Sequence, residues 1–229
     1  SGRDPMEQIQ WAKRRGMNVW AETCPQYIAL TADDLKGLNM DFEGAKYVCS
    51  PPPRDSDSQK AIWEGLRDGT FDIFSSDHCP FRFEDSKGKD VEGARTSFRW
   101  VPNGIPGIET RMPILFSEGV SKGRIGLERF VALTATNPAK LFGLYPRKGT
   151  IAVGADADIT LWDPSREVTI SQSLMHHDCD YTPYEGLEVK GWPVRTILRG
   201  KTIFAEGEVT GGRDAGVYLE RGTSQAFGG

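Results

Sequence analysis

Two short apolar stretches, each preceded by a helical pattern, constrain this chain most. Asn18–Val19–Trp20–Ala21–Glu22–Thr23 is rich in β-formers and closes at Cys24–Pro25, while Phe71–Asp72–Ile73–Phe74–Ser75–Ser76 stops at Asp77. Ahead of the first, Asp4–Pro5 followed by Met6, Ile9, Trp11 and Ala12 predicts a helix with Asp4 as its cap and Pro5 at its first position, ended by Gly16. Ahead of the second, a helix capped near Asp55 runs through Gln59, Ala61, Ile62, Trp63 and Leu66 to Gly69. Helix then strand, repeated, is the pattern of a parallel α/β arrangement. Two parallel strands cannot cover both faces of their own sheet, and parallel sheets are buried on both faces. This part of the chain therefore reads as a portion of a larger body, completed by further sequence or by another chain.

The texture changes downstream. A polar, glycine-containing loop is expected from 83 to 101, with helical stretches around 108–116 and 127–144. Beyond Lys148 the pattern is all β: Ala157–Asp158–Ile159–Thr160–Leu161–Trp162 and Val194–Arg195–Thr196–Ile197–Leu198 read as strands. Residues 200–209 read as a hairpin element with Gly200 at the turn. The expected organisation is residues 1–147 as an α/β portion, 148–212 as a β portion, and a glycine-rich, loosely held tail at 213–229.

Composition excludes several functions. With 28 lysines and arginines against 32 acidic residues and no basic stripe, nothing equips the chain to neutralise phosphates, so no nucleic-acid partner is expected. No apolar run approaches the roughly 20 residues that span a bilayer, and the polar start at Ser1 leads straight into a helix, so no membrane association is expected. Cys24, Cys49, Cys79 and Cys179 are scattered without paired spacing, which fits reduced thiols and a cytoplasmic protein.

The chemistry-bearing residue is Asp77. An apolar strand delivers a carboxylate at its C-terminal end, the face on which parallel α/β folds bind ligands. A carboxylate there can ligate a hard or borderline metal, or take a proton from bound water, or simply cap the turn. His78 beside it is a candidate hydrogen-bond partner behind such a ligand. His176–His177 falls in the segment read as β, where neighbours point to opposite faces, so the pair is not expected to chelate one ion.

Glu22–Thr23–Cys24–Pro25–Gln26–Tyr27, Cys49–Ser50–Pro51–Pro52 and Ser76–Asp77–His78–Cys79–Pro80–Phe81 follow one another as ordered blocks. So do Pro102–Asn103–Gly104–Ile105–Pro106–Gly107–Ile108–Glu109, Asn137–Pro138–Ala139–Lys140, Lys148–Gly149–Thr150–Ile151 and Gly154–Ala155–Asp156–Ala157–Asp158. Tyr184–Glu185–Gly186 and Gly191–Trp192–Pro193–Val194 complete the set. In this order, over roughly residues 1–210, the blocks resemble the C-terminal half of the dihydropyrimidinase and D-hydantoinase family of metal-dependent amidohydrolases.

The resemblance implies the last strands and helices of a TIM (β/α)₈ barrel followed by strands of a small β-sandwich. It implies hydrolysis of the cyclic amide bond of dihydropyrimidines or hydantoins, and two divalent metal ions, usually zinc, in the complete enzyme. Asp77 matches the aspartate that ends the last barrel strand, ligates metal, and carries a proton from the attacking water to the departing ring nitrogen. Ser50 and Asn103 match residues whose backbone groups hold the ring's amide edge. The family's tetrameric assembly implies a homo-oligomer.

The departure is in the histidines: the chain has His78, His176 and His177 only, with no His-x-His pair. The resemblance therefore implies that a missing N-terminal half carries the remaining ligands, and that this chain alone holds no tight metal and is inactive. The alternative is a non-catalytic relative acting through protein partners, like the collapsin-response-mediator proteins; retention of Asp77 inside an intact block favours the enzyme. An independent small α/β binding module is disfavoured by the uncovered two-stranded sheet.

Overall fold

A computed structural model of the chain describes residues 1–37 and 41–225. Its contacts group into two compact units that interleave in sequence: residues 1–115 with 169–188, and residues 116–168 with 189–229.

In the first unit, helix α1 (Arg3–Arg14) begins two residues earlier than expected. Gly2, not Asp4, occupies the cap position and offers no side-chain bond. Pro5 is accommodated inside the first turn because its missing N–H falls among the four that a helix start leaves free. Strand β1 is confined to Glu22–Thr23, and helix α2 (Gln26–Ala29) follows at once. Helix α3 (Ser56–Asp68) has the expected limits. Asp55 caps it by accepting from the Ser58 N–H at 2.8 Å, and Gly69 ends it in the left-handed region. Ile62 and Leu66 on its inner face are fully buried.

Strand β2 (Ile73–Phe74) pairs in parallel with β1, Glu22 opposite Ile73 and Thr23 opposite Phe74. Asp72 sets this register from one end, its Oδ2 accepting from Ala21 N at 2.8 Å and from Lys13 Nζ at 2.7 Å. Helix α4 (Arg111–Leu115) buries Ile114 and Leu115, and from its start Arg111 reaches the carbonyl of Phe74 at 2.6 Å.

The second unit opens with a π-helical turn, Phe116–Ser121. Its next helical run is continuous from 127 to 141 but changes pitch: α5 (Leu127–Val131), a π-turn (Ala132–Thr136), then α6 (Asn137–Leu141). The widened turn lies just before Pro138, which has no N–H to continue an α ladder. A four-stranded sheet follows in the order β3 (Ile159–Thr169), β4 (Glu188–Leu198), β5 (Lys201–Ala205), β6 (Glu208–Val209). The last three strands run antiparallel. Arg199–Gly200 and Glu206–Gly207 all have positive φ, the backbone that two-residue hairpins require. The β3 and β4 strands are each longer than the sequence pattern indicated.

Lys148 joins Asp156 at 2.8 Å and also contacts Asp158, while Arg147 binds Asp156 at 3.0 Å. The segment expected as a loose tail is tied down: Gly222 N donates to Gly143 O at 2.9 Å and Gln225 N to Lys140 O at 3.0 Å. Residues 226–229 of that tail lie outside the described residues.

The core of this unit is an aromatic triad. Phe116 stacks on Trp162 at 4.8 Å, and Phe130 meets both rings edge-on. Gly191 gives Phe116 its seat: φ is +93°, and a Cβ there would fall 2.2 Å from the ring. Gly191→Ala should therefore lower unfolding free energy by about 2–4 kcal/mol, combining backbone strain with overpacking. A denaturant midpoint equal to wild type would contradict this close packing.

Candidate functional site

Asp77 follows β2 by three residues, and the main chain is held firmly up to it. Ser75 N donates to Thr23 O at 3.0 Å, and Ser75 Oγ lies 3.1 Å from Cys24 Sγ, so the two parallel strands stay joined past their ladder. Asp77 itself adopts φ +48°, a left-handed conformation that aspartate tolerates better than most residues and that recurs at functional sites. Gln26, wholly buried at the start of α2, donates its Nε2 to Asp77 Oδ2 at 3.4 Å. Its Oε1 is buried with no hydrogen-bond partner. Asp77 is exposed as a residue, yet partial desolvation of its carboxyl, reinforced by the charge of Glu22, holds it above the usual carboxylate range.

Two other segments are drawn to the same neighbourhood. Tyr27, next to Gln26, donates its hydroxyl to Pro51 O at 3.0 Å, which fixes the turn carrying Ser50. Gly104 N donates to Val48 O at 3.0 Å, linking that turn to the segment carrying Asn103. The 103–105 segment runs beside the Asp77 loop: Cys79 N donates to Ile105 O at 3.1 Å, and His78 forms a parallel bridge with Ile105. Only glycine fits at position 104, where φ is +146° and a Cβ would lie 2.5 Å from the Cys79 carbonyl. Ser50 and Asn103 are both exposed, with main-chain polar groups outside any ladder.

His78 is turned to a different task from bracing Asp77. Its Nδ1 accepts from Gly107 N at 3.1 Å and Ile108 N at 3.3 Å, which places the ring proton on Nε2. Burial, with the neighbouring His177, lowers its pKa. The His176–His177 pair is not on a strand. It lies in an irregular segment between β3 and β4 that belongs to the first unit. The chain leaves the sheet there because Glu109 captures it, accepting from His176 N at 2.8 Å and pairing with its Nδ1 at 2.7 Å. The same segment supplies Asp180, whose carboxylate receives the N–H groups of Phe83 and Glu84 at 2.6 and 3.0 Å.

Within the 83–101 loop, Ala94 and Val101 are buried with Ala45, against Phe42, Val48 and Phe83. Lys89 is fully buried in it, with Nζ donating to Val48 O at 2.8 Å and Pro102 O at 2.7 Å. Gln26, Lys89 and Arg111 are site-supporting residues that sequence reasoning missed. Gln26 stood in a quoted block without an assigned role, and Lys89 fell in a loop expected only to be polar and glycine-containing. Among the described residues no three of His, Cys, Asp and Glu gather as a metal-binding group. Asp77 on its own suits one ligand position: a hard oxygen donor, beside another carboxylate, accepting one weak hydrogen bond.

Comparison with known proteins bears on this arrangement. The model of the amidohydrolase family matches residues 17–203. The chain is 48% identical over 218 residues to a D-hydantoinase of Rhizobium radiobacter, covering 95% of this chain and 46% of that protein. To a D-hydantoinase of Geobacillus stearothermophilus it is 47% identical, covering 94% and 45%. Its backbone superposes on D-hydantoinase from Bacillus sp. AR9 with a TM-score of 0.93 at 44% identity, over 98% of this chain and 48% of that one. Dihydropyrimidinase from Brevibacillus agri gives 0.92 at 45% identity, over 100% and 48%. The chain thus spans about half the length of the curated relatives it matches. No helix among the described residues is long and apolar enough to cross a membrane.

The thiols around the site should differ sharply in reactivity. Cys79 is exposed, whereas Cys24, Cys49 and Cys179 are buried. Burial pushes the Cys24 thiol up to about 12 and Cys49 up to about 11, so neither carries much reactive thiolate near neutrality. At pH 8 iodoacetamide should label Cys79 alone in the folded chain and all the thiols in denaturant. Mass spectrometry showing several equally fast sites would refute the burial described here.

Proposed function

This chain belongs to the amidohydrolase family, and on that footing we propose that it is the C-terminal portion of a cyclic-amide hydrolase of the hydantoinase and dihydropyrimidinase type. The observation that carries the proposal is a convergence. Three segments far apart in sequence, bearing Ser50, Asp77 and Asn103, are tied together by the Tyr27–Pro51, Gly104–Val48 and Cys79–Ile105 hydrogen bonds.

On this reading the substrate is a ring –CO–NH–CO– unit of a hydantoin or dihydropyrimidine. Main-chain groups of the exposed residues Ser50 and Asn103 hydrogen-bond its amide edge and fix the carbonyl to be attacked. Asp77 accepts the proton of the attacking water and returns it to the ring nitrogen as the C–N bond breaks. The catalytic metal ions, two zincs by family resemblance, supply Lewis-acid activation of water and carbonyl when bound, with Asp77 as one ligand. The other ligands come from the remainder of the enzyme.

The same reading assigns residues 1–147 to the closing part of a TIM barrel and 148–212 to a β-sandwich. No residue of β3 is buried, which suits a sheet that takes a second layer. A homotetrameric, cytoplasmic enzyme completes the proposal.

In the intact enzyme Asp77→Asn should lower kcat for hydantoin or dihydrouracil opening by at least about a hundredfold, because the amide keeps the shape but cannot take the proton. Loss of ultraviolet absorbance on ring opening reads the rate, and near-normal turnover would remove Asp77 from the chemistry. The 229 residues alone should show no turnover and well under one zinc per chain by elemental analysis.

A further inference from the structure

Lys89 is a charge in a place where charge is costly. Its side chain has no exposed surface, and its neighbours include the ring of Phe81, 5.8 Å from Nζ. No carboxylate is among its hydrogen-bond partners: both are main-chain carbonyls, Val48 O at 2.8 Å and Pro102 O at 2.7 Å. Burial accordingly pushes its pKa down to about 8. An apolar side chain of similar length would fill the same space without giving up hydration, so packing alone does not account for a lysine here.

The loop is built to send Lys89 inward. Gly88 N donates to Asp85 O at 2.7 Å and Lys89 N to Arg82 O at 2.8 Å, a tight reversal in which a Cβ at 88 would collide with the Arg82 carbonyl. What the ammonium reaches is specific. Val48 lies two residues before Ser50, and Pro102 directly precedes Asn103. Val48 O also accepts from Gly104 N at 3.0 Å, so the cation sits where these two segments meet.

We propose that Lys89 is a positioning residue whose ammonium clamps the Val48 and Pro102 carbonyls, setting the spacing between the Ser50 and Asn103 main-chain groups that grip the ring's amide edge. This deepens the hydantoinase reading and rests on it. A carbonyl clamp of this kind acts on substrate binding: it touches neither the reacting carbonyl nor Asp77, and its loss leaves the metal ligand in place.

The test uses the intact enzyme and two variants, Lys89→Met, which keeps length and removes both donors, and Lys89→Gln, which restores a shorter donor. Measured together are kcat and KM for hydantoin, bound metal, and thermal midpoint. Lys89→Met should raise KM by about tenfold or more with kcat within about threefold of wild type and metal content unchanged, and Lys89→Gln should fall between the two. Variants that lose thermal stability but keep the wild-type KM would overturn the positioning role and leave the hydantoinase reading standing. Should Lys89→Met not fold, Lys89→Gln carries the same comparison. A metal-loaded wild-type enzyme that opens no cyclic imide would instead overturn the underlying reading, and this inference with it.

Discussion

The parallel pairing of β1 with β2 is the constraint on which the site depends. It is only two residues long on each side, too little to hold its own register. Side chains hold it from both ends. Asp72 accepts from the Ala21 N–H and the Lys13 ammonium before the ladder, and the half-buried Arg111 guanidinium donates to the Phe74 carbonyl after it. Burial lowers the pKa of Arg111, and the guanidinium stays charged. A charged donor on a strand's last carbonyl is stronger than the ladder bond it replaces. The turn that presents Asp77 is thereby fixed by electrostatics outside the sheet as much as by the sheet.

The same device recurs at the next level. Arg111 on the last carbonyl of β2, Lys89 on Val48 and Pro102, and Asp180 on the Phe83 and Glu84 N–H groups each use a charged side chain to hold main chain. Loops that carry binding groups cannot satisfy all their polar atoms by regular pairing. Charged side chains meet that need here, while Ser50 and Asn103 stay exposed as residues. Each clamp costs desolvation and gains positional precision, the trade that the proposed backbone recognition would require.

Much of this was legible in the sequence, and what was not has identifiable causes. The α3 limits could be read from Asp55 and Gly69 because cap and C-terminal glycine act locally. The strand leading to Asp77 was legible from its apolar run, but its length was not: β2 is confined to Ile73–Phe74, and Asp77 lies three residues beyond it. The start of α1 was misread because Asp–Pro is an equally good first turn when the cap lies further upstream. The π-turn before Pro138 left no periodicity signal, since it only widens a helix already apparent. His176–His177 was misplaced because Glu109, far away in sequence, decides its position. Lys89 had no local signal at all: in a polar, glycine-containing loop, nothing in composition separates a buried ammonium from a solvated one.

Asp77 shows what the proposed site would cost the fold. A carboxyl whose folded-state pKa lies above its unfolded value binds its proton more tightly when folded, so its contribution to stability falls as pH rises through that range. At neutral pH the ionised group, beside Glu22 and in a left-handed backbone, is a cost to folding. The fold bears it because the Asp72, Arg111 and Cys24–Ser75 contacts determine the path of the chain on both sides. A bound divalent cation would reverse the sign of that electrostatic cost, favouring the ionised carboxylate through the same partial burial that now disfavours it. The partial burial and neighbouring charge that make an ionised Asp77 unfavourable in isolation are thus those that a cation, as proposed, would offset.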